Sequence, residues 1–583
     1  MTSATVSVRQ PTRSAGPGRY LPIVRWLPAY RRDQLAPDAV AALSVWALLV
    51  PQSLGYATLA GVPVQYGLYA AFTGLVAYAI FGTSRQVVQG PSGAVAAVSA
   101  AVVGPIVGES ALGTDKAVGY TAALALMAGA VYLALGLLRM GWVSNFLSKA
   151  VLGGFVLGFS LGIIIDQSQK LLGIPAVSGT YAEELIKTIK EIPDTNLWTL
   201  GVGATSLIAL LGMRRYLPRW PRALIVVALS IAAVSVFDLT DHDVAVTGDV
   251  PTGLFSVQLP GVGWSEWSAL LAGALSVVFV GYSESLASGR AMAVKHRYEI
   301  DPNQELIAQG TACGAAGFVG AFATDGSLSK TSVADAAGQR TQLASLINAL
   351  FILLTMLFLA SLFENLPAAT LGAVVIDAML GVVDLGPMRR YFRVNRADWV
   401  FSMGATLGIL FFGIIQGILI GVVLSLLLLV ARSSNPTVRR LGRDPRSGAF
   451  VDLTRFEEVE AIPGVLVLRL DGPLFFADAN RFRDAVKEII EGAAEPVQAV
   501  IVDADAISLT DTDGADMVAQ LAGELRAQHV PLALARVEPE CLELWTRAGA
   551  IDAVGRDCVF ATVGQAIAAF DRTGPDPAYT AEE

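Results

Sequence analysis

From about residue 38 to about residue 432 the chain is one succession of apolar runs, each close to bilayer length and separated by short polar joints. A helix needs about 20 apolar residues to cross a bilayer. Candidate spans centre near Ala42–Leu59, Tyr66–Phe81, Ser92–Val107, Ala117–Leu138, Phe146–Ile165, Trp198–Met213 and Ala223–Phe237. A second set follows near Ala269–Leu286, Ile307–Ala321, Leu328–Ala337, Leu343–Phe363, Leu366–Leu380, Trp399–Ile415 and Gln416–Ala431. With 54% hydrophobic and 16% charged residues, the chain departs from the soluble norm of about a quarter charged. The expected fold is a polytopic α-helical membrane protein of fourteen segments in a seven-plus-seven inverted repeat, with two half-helices and a small cytoplasmic α/β domain.

Two spans, Ser92–Val107 and Leu328–Ala337, are too short or too polar to cross alone. Short, glycine-rich segments at matching places in two halves point to a solute site between inverted repeats. A faint echo supports the two halves. Gln52-Ser53-Leu54-Gly55 resembles Glu284-Ser285-Leu286-Ala287, and each is followed by a half-segment, one opening at Pro91-Ser92-Gly93 and the other at Gly326-Ser327-Leu328-Ser329.

Charge placement agrees with this count. Joints after even-numbered spans hold Arg85, Arg139, Lys149, Arg214, Arg215, Arg219, Arg222, Arg290, Lys295, Arg297, Arg340 and Arg389–Arg396. Joints after odd-numbered spans hold only Lys116, Lys170, Lys187 and Lys190, beside acids such as Asp238, Asp241, Asp243 and Asp249. Both termini are therefore expected in the cytoplasm, with the chain in the inner (plasma) membrane. Residues 1–35 read as a disordered cytoplasmic leader, 36–432 as the membrane domain, 433–450 as a linker, 451–572 as the α/β domain and 573–583 as a disordered tail.

In the first span, Pro51, Gln52 and Gly55 interrupt an apolar run. Proline removes a backbone donor and glycine weakens the helix, so a break lining a cavity is expected. Gln52 and Tyr56, one turn apart, would offer polar and aromatic walls to a solute, or helix-packing hydrogen bonds. Ser92, Gly93, Leu328 and Ser329 stand at helix starts, where free N–H groups and the dipole favour an anion. Lys330 would add a full positive charge. Alternatively, these residues cap and pack the half-helices, and Lys330 reaches to an interface. Glu284 lies in an apolar stretch, where a carboxylate is costly and marks a functional site. It would carry a proton, pair with Lys330, or hold sodium together with Ser288.

Cys313, Cys541 and Cys558 have no disulfide or metal spacing, and His242, His296 and His529 are far apart, so no metal or other cofactor is expected. No nucleophile–base pair is visible, which argues against an enzyme, and no nucleic-acid partner is implied. The tail alternates strands at Val465–Leu470, Val497–Asp503 and Val530–Arg536 with helices at Ala479–Ile490 and Asp513–Arg526, without a phosphate loop.

Pro51-Gln52-Ser53-Leu54-Gly55-Tyr56-Ala57, Gly61-Val62-Pro63, Tyr66-Gly67-Leu68-Tyr69, Phe81–Arg85 and Gly90-Pro91 resemble the sulfate permease (SulP) anion-transporter family. Ser327-Leu328-Ser329-Lys330-Thr331 and Ala337-Gly338-Gln339-Arg340-Thr341 match its second signature, and the tail resembles a STAS domain. The resemblance implies fourteen segments, a core moving against a gate in an elevator-like cycle, and homodimers. It places a small anion near Ser92, Gly93, Leu328 and Ser329, with Gln52 and Tyr56 lining the pocket, and links the Glu284 position to cation coupling. Lys330 stands where the family often has arginine, keeping the charge but not bidentate oxyanion binding. Where related STAS domains have a phosphorylatable serine after an aspartate, this chain has Asp511-Thr512, and Thr512 reads as a phosphate acceptor or as a helix-start residue.

The leading expectation is proton-coupled symport of sulfate. Sodium-coupled bicarbonate import and C4-dicarboxylate transport are alternatives. From other classes come an uncoupled anion channel and a STAS-based signalling scaffold.

Overall fold

The computed structural model describes residues 20–571, apart from 109–110, 143–148, 176, 178, 218–219, 249, 258, 434–436, 456–457 and 494. The chain divides into two compact units, Met1–Ser425 and Leu426–Glu583.

The first unit carries the membrane helices, and fourteen long or half-length helices follow the predicted spans. They are α1 (Leu35–Leu59), α2 (Gln65–Phe81), α3 (Gly93–Val107), α4 (Asp115–Leu137), α5 (Lys149–Leu172), α6 (Leu197–Tyr216) and α7 (Arg222–Phe237). The second seven are α8 (Trp264–His296), α9 (Pro302–Phe318), α10 (Leu328–Ala336), α11 (Leu343–Leu354, continued by a π turn), α12 (Ala368–Val382), α13 (Arg396–Phe412) and α14 (Ile414–Ser433), the last leading into the second unit. Seven helical stretches among the described residues are long and apolar enough to cross a membrane unaided. The nine residues of α10 rise only about 14 Å, less than half a bilayer core.

The packing shows the repeat. Exchanging each helix for its counterpart seven places away in the other half turns one set of contacts into another. Helix α2 packs on α11, and α9 packs on α4. Helix α1 packs on α11, and α8 on α4. Helix α6 packs on α12, and α5 on α13. Before each half-helix lies a two-residue strand, β1 (Gln89–Gly90) or β2 (Asp325–Gly326), and the two pair antiparallel, Gln89 opposite Gly326 and Gly90 opposite Asp325. An element that pairs with its own counterpart in antiparallel sense is what an inverted repeat requires.

Two expectations for this unit need correction. Helix α1 is not broken: it runs unbroken through Pro51. Every residue from Leu49 to Ala57 is buried, so neighbouring helices hold the turn that the missing N–H weakens. Residues 20–34 are also not a disordered leader. A short helix forms at Ile23–Trp26, and the Trp26 indole donates to the Ala79 carbonyl at 3.1 Å. The rest of the leader and residues 573–583 lie outside the described residues.

The second unit is a six-stranded sheet with helices. Its strands are β3 (Thr437–Arg443), β4 (Phe450–Asp452), β5 (Val465–Asp471), β6 (Ala499–Asp503), β7 (Leu532–Ala535) and β8 (Val559–Phe560), in spatial order β4-β3-β5-β6-β7-β8. β3 is antiparallel to both neighbours, and β5 to β8 are parallel. Helices α15 (Ala479–Glu491) and α16 (Thr512–Ala527) match the predicted pair, and α17 (Pro539–Arg547), α18 (Ala550–Val554) and α19 (Val563–Asp571) follow.

The expected linker at 433–450 is contradicted, because β3 lies within it. Its arginines hide the strand. Arg439 forms ion pairs with Asp452 and Asp471 from the two neighbouring strands, so its charge is balanced inside the sheet. Hydrogen bonds from Thr454 and the Arg439 guanidinium hold the Asp452 carboxyl at about 2, below the usual carboxylate range. A depressed folded value means stability present above the unfolded value, near 4, and lost as pH falls through about 2. Amide hydrogen exchange in β3 and β5, corrected for intrinsic rates, should therefore accelerate between pH 4 and pH 2. Asp452→Asn should show the fast rates already at pH 6; unchanged protection would contradict this role.

Candidate functional site

The β1–β2 pair fixes where the half-helices begin. Gln89 and Gln309 exchange amide hydrogen bonds at 2.7 and 3.1 Å, and Gln89 also donates to Thr324 at 3.1 Å. These groups are buried, and a satisfied buried network of this kind locks one arrangement. From this platform α3 and α10 start, one from each repeat.

At the α3 start, Ser92 is the N-cap, and its hydroxyl accepts from the Val95 N–H at 3.3 Å. Gly93 is next, and a β-carbon there would lie 2.8 Å from Met379 Cε and 3.3 Å from Tyr56 Cε1. Gly93, Tyr56 of α1 and Met379 of α12 thus wall one place. At the α10 start, the Ser327 and Ser329 hydroxyls are 3.0 Å apart. Leu328 turns its side chain to an exposed position, so its contribution to a site is through its backbone N–H.

Lys330 is buried, 1% exposed. Its ammonium donates to the Pro91 carbonyl at 2.5 Å, bridging from α10 to the joint of β1 and α3. It does not reach to an interface, and its hydrogen bond goes to the Pro91 carbonyl, with the Glu284 carboxylate in electrostatic range. One cation therefore sits between two helix N-termini.

Gln52 is buried, and its side-chain oxygen has no hydrogen-bond partner among the described residues. It lines a cavity of about 570 Å³ between α1, α6, α7, α10 and α12, together with Trp46, Ser329, Arg214, Arg222 and Asp377. Arg222 Nε donates to Asp377 Oδ2 at 3.0 Å, and Arg214 Nη1 stands 3.7 Å from Oδ1. Two guanidiniums and one carboxylate leave this wall positive, which raises the local concentration of anions. Sequence reasoning used Arg214 and Arg222 only to orient the chain and passed over Asp377; three charged residues on three different spans carry no local signal of meeting.

Glu284 is partly buried in α8. The Ser288 hydroxyl donates to the Glu284 backbone carbonyl at 2.9 Å, the usual back-bond to residue i−4. The residue brought to the Glu284 carboxylate is instead Asp325 of β2, with Lys330 also in electrostatic range.

The model of the sulfate permease family matches residues 35–405. The chain belongs to the sulfate permease family. A STAS domain matches residues 457–566, which hold the parallel strands β5 to β8 of the second unit. A probable sulfate transporter of Mycobacterium tuberculosis is 33% identical over 545 residues, 93% of this chain and 96% of that protein. The probable sulfate transporter 4.2 of Arabidopsis thaliana is 30% identical, over 94% of this chain and 83% of its own length. Among solved structures, the murine solute carrier 26 family member A9 anion transporter in the inward-facing state superposes with a TM-score of 0.89 at 25% identity, covering 97% of each chain. This family membership accords with the fourteen-helix repeat and the tail domain.

In the tail, Thr512 is the exposed first residue of α16. Its neighbour Asp511 makes the cap, accepting from the Gly514 N–H at 2.9 Å and the Phe476 N–H at 3.0 Å. A helix-start role therefore belongs to Asp511.

Proposed function

We propose that this protein is a secondary active transporter of a small anion, with sulfate as the first substrate and protons as the coupling ion. The observation that carries the reading is the pair of half-helix N-termini with buried Lys330 between them, approached by an arginine-walled cavity that reaches Gln52 and Ser329. Backbone N–H groups at helix starts and a cation select for negative charge, not for one anion. The relatives named as sulfate transporters point to sulfate within that class.

The substrate residues of the proposal are Gln52, Tyr56, Ser92, Gly93, Leu328, Ser329 and Lys330, and Glu284 is the coupling group. Helices α1–α4 and α8–α11 carry all of these. Helices α5–α7 and α12–α14 form the other group, of which α6, α7 and α12 supply the opposite cavity wall. Movement of the first group against the second would carry the anion across in an elevator-like step. On the positive-inside reading, Arg214 and Arg222 mark the cytoplasmic mouth, so this conformation is open inward. The resemblance adds a homodimer, for which mass measurement in detergent is the test. Thr512 is the proposed phosphate acceptor of the tail, favoured by its exposure at a helix start.

The deciding experiment is uptake of labelled sulfate, bicarbonate and fumarate into proteoliposomes under imposed proton or sodium gradients, with Glu284→Gln alongside. Proton-driven accumulation of sulfate, lost in the variant, is expected. Accumulation driven by sodium would replace the coupling ion. Flux that follows only the anion's own gradient, unchanged by Glu284→Gln, would remove coupling altogether and leave a channel or uniporter.

A further inference from the structure

Asp325 is 0% exposed, and neither of its carboxylate oxygens has a hydrogen-bond partner among the described residues. A lone buried carboxylate is among the costliest groups a protein can hold. Its surroundings suggest what it does. In the β1–β2 pair, Asp325 lies opposite Gly90. A β-carbon on Gly90 would be 3.8 Å from the Lys330 ammonium, so the lysine head stands beside the cross-strand partner of Asp325. On the other side, β2 presses on α8. A β-carbon on Gly281 would meet Asp325 Cβ at 3.4 Å, and one on Gly326 would meet Ser285 Oγ at 2.5 Å. Gly281 and Ser285 bracket Glu284 on its helix. Asp325 and Glu284 therefore face each other across the α8–β2 contact, with Lys330 reaching in from α10.

The other titratable groups that bear on Asp325 are neutral in character: Tyr132 of α4, Cys313 of α9 and Tyr56 of α1. Charge is thus settled among three groups. With both carboxylates ionised and Lys330 charged, the cluster is net negative by one. It then sits against the helix ends where an anion must bind. One proton makes it neutral.

We propose that Asp325 and Glu284 share one exchangeable proton, and that the half-helix site accepts an anion only when that proton is present. The proton lies on one carboxyl oxygen and is donated to the other carboxylate, as in any close carboxyl pair that cannot ionise twice. Lys330 balances the remaining charge. Asp325 is thus the second coupling residue, sealed from solvent behind the partly accessible Glu284. This rests on the transport reading above and adds a stoichiometric requirement to it.

Two measurements on the full chain in detergent test the pair. The first is infrared difference spectroscopy through a pH titration, which detects the C=O stretch of a protonated carboxyl and needs no ligand. The wild type should show one such band at neutral pH, lost in Asp325→Asn and also in Glu284→Gln. A wild type without the band, or an Asp325→Asn protein that keeps it while Glu284→Gln loses it, overturns the proposal. The second is calorimetric titration with sulfate in buffers of different ionisation enthalpy. At pH values above the titration midpoint of that band, where the free pair has lost its proton, wild type should take up about one proton per sulfate, with affinity falling about tenfold per pH unit; below the midpoint uptake should vanish and affinity level off. Asp325→Asn should bind with no proton uptake and a flat pH profile; a variant that keeps the wild-type slope refutes the role. If the shared band is present but vesicles show no proton-driven uptake, the transport reading fails and the carboxyl pair stands. Proton-driven uptake without the shared band is the reverse case.

Discussion

Replacing Lys330 with alanine should lower anion uptake by on the order of 10²- to 10³-fold at equal protein in the membrane. Lys330 is 1% exposed and its ammonium is hydrogen-bonded to the Pro91 carbonyl, so no solvent can stand in for it. Its removal orphans that carbonyl and leaves Glu284 and Asp325 without a counter-charge. Breaking a buried charge cluster on one side costs about 3–5 kcal/mol, and about 1.4 kcal/mol corresponds to each tenfold. Lys330→Met keeps the stem and should lose as much, which separates charge from packing. Lys330→Arg keeps the charge but spreads it over a planar fork of donors. It should retain measurable uptake, roughly tenfold reduced, with the preference between sulfate and a monovalent anion moved toward sulfate, because two parallel donors suit an oxyanion. Uptake at the wild-type rate in Lys330→Ala would remove the lysine from the site.

The reach and the limit of the sequence follow from the kind of signal each feature leaves. Helices leave a local one: apolar length, then a basic or acidic joint. The twelve longer spans carry it, and the two half-helices leave a local signal of their own, shortness and small residues at Ser92–Gly93 and Ser327–Ser329. The pairing that brings those two starts together is not local. β1 and β2 have two residues each and are separated by more than two hundred, so no periodicity can show them. Asp325 was missed for that reason. Between Thr324 and Gly326 it reads as a turn residue, and only the strand pairing places it against Gly90 and α8. Asp377 and Arg222 were missed differently, since each looked ordinary beside its own span and they meet only where α7 and α12 converge. Pro51 misled in the other direction. A local rule predicts a broken helix, yet the burial of the whole turn around it keeps α1 continuous. Arg439 and Arg440 gave β3 the charge of a linker because the aspartates that neutralise Arg439 lie on neighbouring strands.

The largest effect on folding should come from two glycines where helices touch backbone to backbone. A β-carbon on Gly67 of α2 would lie 2.0 Å from the Ser53 carbonyl oxygen of α1. One on Gly154 of α5 would lie 1.9 Å from the Ser402 carbonyl oxygen of α13. Neither neighbour is a side chain that can swing aside, so the helices must separate by more than an ångström. Close approach of small residues is what drives helix association in a bilayer, where no hydrophobic force distinguishes a partner helix from lipid. Overpacking a core costs typically about 1–3 kcal/mol even when side chains can adjust. Gly67→Ala should exceed that range, and Gly67→Leu should leave little folded protein after extraction. The two sites differ in consequence. Gly67 sets the spacing of α1 and α2 beside the anion site, so molecules of Gly67→Ala that do fold should also have Gln52 displaced and bind sulfate more weakly. Gly154 lies in the opposite group of helices, where the Thr406 hydroxyl also donates to its carbonyl at 2.8 Å. Gly154→Ala should lower the melting temperature in detergent comparably while leaving sulfate affinity of the surviving fraction near wild type. Gly104 provides the control, because a β-carbon there meets nothing within 4 Å, and Gly104→Ala should melt at or above the wild-type temperature. A Gly67→Ala protein as stable as Gly104→Ala would mean that the α1–α2 contact is looser than this geometry, and the placement of Gln52 with it.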